Sequence, residues 1–288
     1  MLERLARPWS RLWDGTAGVM DAIYRGLGRP GKLLQDFLNG SWLGHSLHPV
    51  VVDVVIGGST AALLLQVLSW FGVADLRVAI LWVLALTWLA GLSAIVSGLT
   101  DFKDTATGDE RHVVGLHGLI NIVATVILMG AFLALLAEAD ALVGWLIVAG
   151  FAVLGVGGFI GGHVVFKYGY MVNHNAFERA RKAKEFTAVL PAGEVAEATP
   201  TKVMLGTTAL VVVRRGDLVF ALKETCSHAG GPLAQGTVEG YTVVCPWHAS
   251  AFRLSDGAVR HGPATTRQVA YHARINADQV EVQGPISS

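Results

Sequence analysis

Four apolar stretches dominate this chain, and their length settles what surrounds them. They run over residues 50–71, 76–100, 113–137 and 142–166. A helix rises 1.5 Å per residue, so about 20 residues cross a hydrocarbon core, and every stretch is longer. The breaks carry the charges: Asp75 and Arg77, then Asp101, Lys103, Asp104, Asp109, Glu110 and Arg111, then Glu138 and Asp140. A buried helix of a soluble protein is usually shorter and keeps a polar stripe. The expectation is a bundle of four transmembrane helices over residues 45–166. Only 15% of residues are charged, against about 25% in ordinary soluble domains. That argues against a soluble cytoplasmic enzyme, a disordered chain and a nucleic-acid binder. The net charge of zero gives no case for an acidic partner.

Four spans leave both ends of the bundle on one side. The segments there (1–49, 101–112 and 167–184) hold thirteen Lys/Arg, whereas the two opposite turns hold one, Arg77. Positively charged flanks stay in the cytoplasm. The expected location is therefore the cell (inner) membrane, multi-pass, with both termini inside. No apolar signal segment follows Arg4 and Arg7. Residues 1–44 form a mixed N-terminal part. Within it, residues 9–27 put Trp9, Trp13, Met20, Ile23, Tyr24 and Leu27 mostly on one helical face. That face suits the membrane interface, and packing on the protein itself suits it equally. Residues 167–184 read as a basic linker, where His174, Arg179, Arg181, Lys182 and Lys184 suit anionic lipid or, as an alternative, an acidic redox partner. Residues 185–288 read as a small soluble β domain, with alternating segments at 209–213, 218–222 and 241–244.

The chemistry of that domain lies in two short loops. Cys226-Ser-His228 is followed, after sixteen intervening residues, by Cys245-Pro-Trp-His248. Two cysteines exclude a disulfide-dense scaffold, although a single disulfide stays open. Two Cys and two His suit a metal centre. A zinc finger usually pairs Cys with Cys and His with His at wider spacing. Here each loop offers one of each, an order suited to two irons, one holding both thiolates and the other both imidazoles.

The stretches Cys226-Ser-His-Ala-Gly-Gly-Pro-Leu and Cys245-Pro-Trp-His-Ala-Ser-Ala-Phe, with His261-Gly-Pro-Ala264, resemble the Rieske [2Fe-2S] family over about residues 185–284. The resemblance implies stacked antiparallel sheets and a cluster held by Cys226 and Cys245 on the inner iron and His228 and His248 on the outer. Gly230 and Gly231 then allow a tight turn that aims loop amides at sulfur. Pro232, Pro246 and Pro263 stiffen the loops. Trp247 shields the cluster or simply packs. The family's members in cytochrome bc complexes carry an extra Cys in each loop, where Gly231 and Trp247 stand here. The Ser of high-potential members is matched by Ser250, but Phe252 replaces their Tyr. Fewer hydrogen bonds to a cluster stabilise its reduced form less, so a potential low in the family's range of roughly −150 to +300 mV is expected. No separate mononuclear-iron oxygenase domain is expected in this sequence.

Six further histidines, His45, His48, His112, His117, His163 and His174, all fall on the cytoplasmic side. His45-Ser-Leu-His48-Pro49, Thr100-Asp101, Gly115-Leu-His117-Gly and Gly161-Gly162-His163 resemble a family of bacterial four-helix membrane proteins of unknown function, over about residues 41–173. Many of its members have a His where Asp53 stands. Two axial imidazoles in a four-helix bundle suit one b-type haem, with His117 partnered by His48 or His163. Gly57, Gly58, Gly155, Gly157, Gly158, Gly161 and Gly162 would leave room for it, or else serve close helix packing. A quinone site beside Asp53, Asp101 or Asn121 and a purely structural role are the alternatives, with His45, His112 and Asp53 kept as further candidates. His261 and His272 belong to the β domain; His261 adjoins the proline loop.

These readings combine into a membrane-anchored electron carrier. It would pass electrons between a membrane-side donor or acceptor (haem or quinone) and a cytoplasmic reductase or oxidoreductase subunit. The rival is a redox sensor or scaffold whose helices are only an anchor.

Overall fold

A computed structural model describes residues 1–176 and 184–286. Arg179, Arg181 and Lys182 of the basic linker lie outside the described residues. The chain divides into two compact units: Met1–Gly31 with Ser46–Tyr170, and Lys32–His45 with Met171–Ser288.

The first unit holds the four long helices, α3 (Leu47–Trp70), α4 (Arg77–Phe102), α5 (Asp109–Leu136) and α6 (Asp140–Tyr168). All four are long and apolar enough to cross a membrane. Each starts a few residues earlier or ends a little later than its apolar run, because the flanking polar residues complete the terminal turns. Most side chains along them are not buried in the protein; Trp82, Leu86, Leu133, Phe159 and Phe166 are exposed, as hydrocarbon-facing residues must be. Apolar side chains gain little by leaving lipid for one another, so close packing rests on small residues. Gly91 shows it: a Cβ there would come within 2.7 Å of Thr125 on α5. α3 packs on α4 and α6, and α5 packs on the same two, which makes α3 and α5 diagonal partners.

Before the bundle come α1 (Leu2–Ala6) and α2 (Ser10–Asn39), the latter kinked at Gly28, whose φ of 58° no helix allows. The amphipathic face expected for residues 9–27 splits in two. Trp13, Ala17 and Tyr24 are buried, with the Tyr24 hydroxyl 2.6 Å from Thr100 Oγ1, while Trp9, Ile23 and Leu27 are exposed. One side of this helix packs on the protein itself, and the other side is exposed.

In the second unit the β domain stacks a six-stranded antiparallel sheet, ordered β1-β10-β9-β4-β3-β2, with a four-stranded one, β5-β6-β7-β8. The strands are β1 (Thr187–Pro191), β2 (Thr201–Leu205), β3 (Thr208–Arg215), β4 (Leu218–Lys223), β5 (Thr237–Glu239), β6 (Thr242–Val244), β7 (Ala251–Arg253), β8 (Val259–His261), β9 (Ala270–Asn276) and β10 (Gln279–Pro285). β3 is an unbroken apolar run because both its faces are covered: Leu210 and Val212 enter one core, Val211 and Val213 the other. The second core contains Cys226, Cys245 and the fully buried Phe252. Burying a side chain of that size contributes about 1.5–3 kcal/mol.

Candidate metal centre

Two hairpin loops of equal length carry the four predicted ligands. The pair Thr225↔Pro232 closes one loop, Cys226–Gly231; the pair Val244↔Ala251 closes the other, residues 245–250. The backbone repeats between them. Cys226 N–H donates to Gly231 O (2.8 Å) and Gly230 N–H to Cys226 O (3.0 Å); Cys245 N–H donates to Ser250 O (2.8 Å) and Ala249 N–H to Cys245 O (3.1 Å). The fifth residue of each loop is left-handed, Gly230 at φ 77° and Ala249 at φ 58°. Glycine is at ease there and alanine is strained.

The loops bring like ligands together. Cys226 and Cys245 are buried free thiols in mutual hydrogen-bond contact, so the disulfide that the sequence left open is absent. The Cys226 thiol proton, directed at Cys245, holds Cys245 down to about 7 and pushes Cys226 well above the ordinary thiol range. Amides of His228 and Ala229 point at the Cys226 sulfur, and amides of Trp247 and His248 at Cys245. Each amide stabilises a thiolate. The imidazoles of His228 and His248 meet edge to face, with centroids 5.0 Å apart. His228 is buried and His248 half-buried. Among the described residues no three His, Cys, Asp or Glu side chains are grouped to hold one metal ion. A thiol pair beside an imidazole pair fits a two-iron cluster better than a single tetrahedral zinc.

Gly231 is glycine for reach rather than for its φ. A Cβ there would stand 2.8 Å from Cys245 Sγ and 3.1 Å from the Trp247 indole. Trp247 stays 56% exposed, so it covers this loop from one side only. Ser250 Oγ accepts the Ala264 N–H at 3.0 Å, which ties the second loop to the proline loop.

Three residues that the sequence did not flag hold this frame. Gln268, fully buried, donates through Nε2 to Lys223 O and Thr225 O (2.6 Å each) and accepts Ser227 N–H (3.0 Å) and Asn175 Nδ2 (3.2 Å) at Oε1. Asn175 also donates to Thr225 O at 3.0 Å. Asp36 accepts from His261 Nδ1 (2.8 Å) and Gly262 N–H (2.7 Å). So His261 is committed to a carboxylate, and the proline loop is clamped by residues 225 positions away in sequence. No local motif announces such partners.

The histidines of the first unit separate into different settings. His48 Nδ1 lies 2.9 Å from Ala94 O and His117 Nδ1 2.9 Å from Gly157 O. Their rings meet at 6.3 Å between centroids. His163 instead sits 3.6 Å from Glu3 and edge-on to Tyr168. His112 is buried, 4.0 Å from Asp109. His45 and Asp53 are exposed, and His45 falls in the other unit. Of the seven glycines expected to leave room, Gly57, Gly155, Gly158 and Gly162 border open space, whereas Gly58, Gly157 and Gly161 are tightly packed. Asn121 packs on Gly157 and donates to His117 O at 2.7 Å.

The β domain, with its pairs of thiols and imidazoles on twin loops, is of the iron–sulfur electron-transfer class. Residues 185–275 match the Rieske [2Fe-2S] domain, and residues 44–174 match the family described as predicted membrane protein (DUF2231). The chain belongs to the Rieske family through the first, and its residues 44–174 form a domain similar to that membrane-protein family. It is 37% identical over 98 residues to the anthranilate 1,2-dioxygenase ferredoxin subunit of Burkholderia cepacia, spanning 34% of this chain and 82% of that one. It is 31% identical over 80 residues to ferredoxin CarAc of Metapseudomonas resinovorans, spanning 28% and 75%. Among solved structures, the ferredoxin of carbazole 1,9a-dioxygenase from Nocardioides aromaticivorans IC177 is 26% identical, with 34% of this chain and 96% of that one covered at a TM-score of 0.33.

Proposed function

We propose that this protein is a membrane-anchored Rieske ferredoxin, taking one electron at a time from one partner and giving it to another. Cys226 and Cys245 would hold one iron, His228 and His248 the other, and the cluster would supply reversible one-electron chemistry. The observation that carries the reading is the twin-loop frame: four amides aimed at two sulfurs beside two imidazoles in edge contact. These groups stabilise charge without moving, which suits an electron carrier. The relative named as the anthranilate 1,2-dioxygenase ferredoxin subunit supports a soluble reductase or oxygenase component as one partner. The positive flanks of the helices support a cytoplasmic β domain, and the helices would keep it at the inner-membrane surface next to a haem or quinone partner. Phe252, a buried phenyl where high-potential members have Tyr, supports a low potential.

The test uses the full chain in detergent. Reduced-state EPR should give a Rieske signal, and a flavin reductase with NADH, or a quinol, should reduce the cluster within a catalytic turnover time. A cluster inert to both donors, whose reduction instead alters the affinity of a bound protein, would replace the carrier with a sensor.

A further inference from the structure

Within the bundle, His48 and His117 are held in the same way by different helices. His48, on α3, places Nδ1 on the Ala94 carbonyl of α4. His117, on α5, places Nδ1 on the Gly157 carbonyl of α6. One turn further along each neighbouring helix stands a glycine under the ring. A Cβ at Gly98 would come 2.9 Å from the His48 ring, and one at Gly161 would come 2.8 Å from the His117 ring. Helix, histidine, carbonyl at one position and glycine four residues on recur in both hairpins. Each hairpin grips one imidazole, and the two imidazoles meet across the bundle diagonal.

The hydrogen bonds fix the chemistry. A carbonyl oxygen only accepts, so Nδ1 of each ring carries the proton and Nε2 keeps its lone pair. Asn121 Nδ2, 3.2 Å from His117 Nδ1, touches the same nitrogen and leaves Nε2 alone. Among the described residues neither Nε2 has a hydrogen-bond partner. Two lone-pair nitrogens cannot bond to each other. An imidazole whose other nitrogen donates to a backbone carbonyl is how proteins present histidine to a metal.

The spacing selects the ligand. A metal lies about 2.0 Å from an imidazole nitrogen, and the ring centre about 1.2 Å beyond, so two imidazoles on opposite sides of one metal have centres about 6.4 Å apart. The observed separation is 6.3 Å. A quinol bonded to both rings would hold them much further apart, with an aromatic ring and two hydrogen bonds between them. A bare divalent ion needs a third and fourth ligand, and among the described residues no group of three His, Cys, Asp or Glu is placed to supply them. Haem brings four nitrogens of its own and asks the protein for two.

We propose that His48 and His117 are the axial ligands of one b-type haem between the diagonal helices α3 and α5. His163, engaged with Glu3 and Tyr168, takes no part. This deepens the electron-carrier reading by naming its membrane-side cofactor, and rests on that reading for its role though not for its existence. The two ring planes stand at 81°, and near-perpendicular imidazoles leave the ferric orbitals nearly degenerate. The ferric EPR should therefore be the strongly anisotropic low-spin type, dominated by one large-g feature.

The experiment expresses the full chain with iron and δ-aminolevulinate and purifies it in detergent. Expected are one haem b per chain by pyridine haemochrome, a sharp reduced α band, and the large-g ferric signal. His48→Ala and His117→Ala should each abolish the band, and His163→Ala should keep it. Unchanged far-ultraviolet circular dichroism and a single sharp elution in detergent, seen in all three, show that the bundle has folded, and the Rieske EPR signal shows the same of the β domain. Gly161→Leu, which leaves both histidines but displaces the His117 ring, should lower haem occupancy several-fold. A protein with a full cluster and no haem, its imidazoles bridged by water, overturns the proposal. So does a band surviving either His48 or His117 replacement, or stoichiometric binding of a metal other than haem iron. Haem present beside a cluster that no donor reduces would instead overturn the carrier reading and leave the haem site standing.

Discussion

The twin cluster loops and the paired membrane histidines solve one problem at different ranges. Both present side chains in symmetric pairs, each held by main-chain groups. In the β domain a loop of six residues supplies a Cys, a His and the amides that serve the sulfur. In the bundle, His48 takes its carbonyl from 46 residues away and His117 from 40. The loops need only a hairpin to form their contacts. The histidines need two helices docked at the right height, with glycines where the rings press. Short-range sites are built by local backbone geometry, and long-range ones by packing.

That contrast predicts separable losses. Cys245→Ser should abolish the Rieske EPR signal outright, because an alkoxide is far less available than a thiolate, and should leave any haem band untouched; loss of both signals together would mean that the two regions fold as one. A smaller effect is expected where the local loop leans on a tertiary tie. Gln268→Leu strips Ser227 N–H and the Lys223 and Thr225 carbonyls of a buried partner. Unfolding of the β domain, followed by cluster bleaching on heating, should show a loss of about 3 kcal/mol. A near-neutral result would mean that the first loop is as self-sufficient as its sequence. The smallest effect tests the likeness of the loops themselves. Ala249 occupies the left-handed place that Gly230 occupies in the other loop, so Ala249→Gly should stabilise by about 0.5–1 kcal/mol in the same melt.

How much was legible follows the same division. Four helices were plain because twenty apolar residues admit few structures, and the pairing of thiol with thiol and imidazole with imidazole was plain because two short loops carry one of each. The reasons for particular glycines were less plain. Gly230 answers to its φ, but Gly231 answers to Cys245 Sγ and Trp247, which arrive from another hairpin. Residues 9–27 looked like one amphipathic face, yet Trp13 and Tyr24 turn inward while Trp9 and Ile23 do not, since a helical wheel cannot tell lipid from protein. As partners of His117, His48 and His163 stood as equals in the sequence and are unequal in the structure, where His48 meets His117 and His163 turns to Glu3.

By itself, the sequence determined the membrane bundle, the β domain and the two loops that each pair a Cys with a His, because hydrophobic length and loop-local motifs act within a few residues of themselves. Only the tertiary structure decided that Asp36 clamps the proline loop, that Gln268 braces the first ligand loop, and that His48 meets His117 while His163 turns to Glu3. Those partners are set by how helices cross and sheets stack. A hydrogen bond between residues 225 apart leaves no trace in the spacing of either.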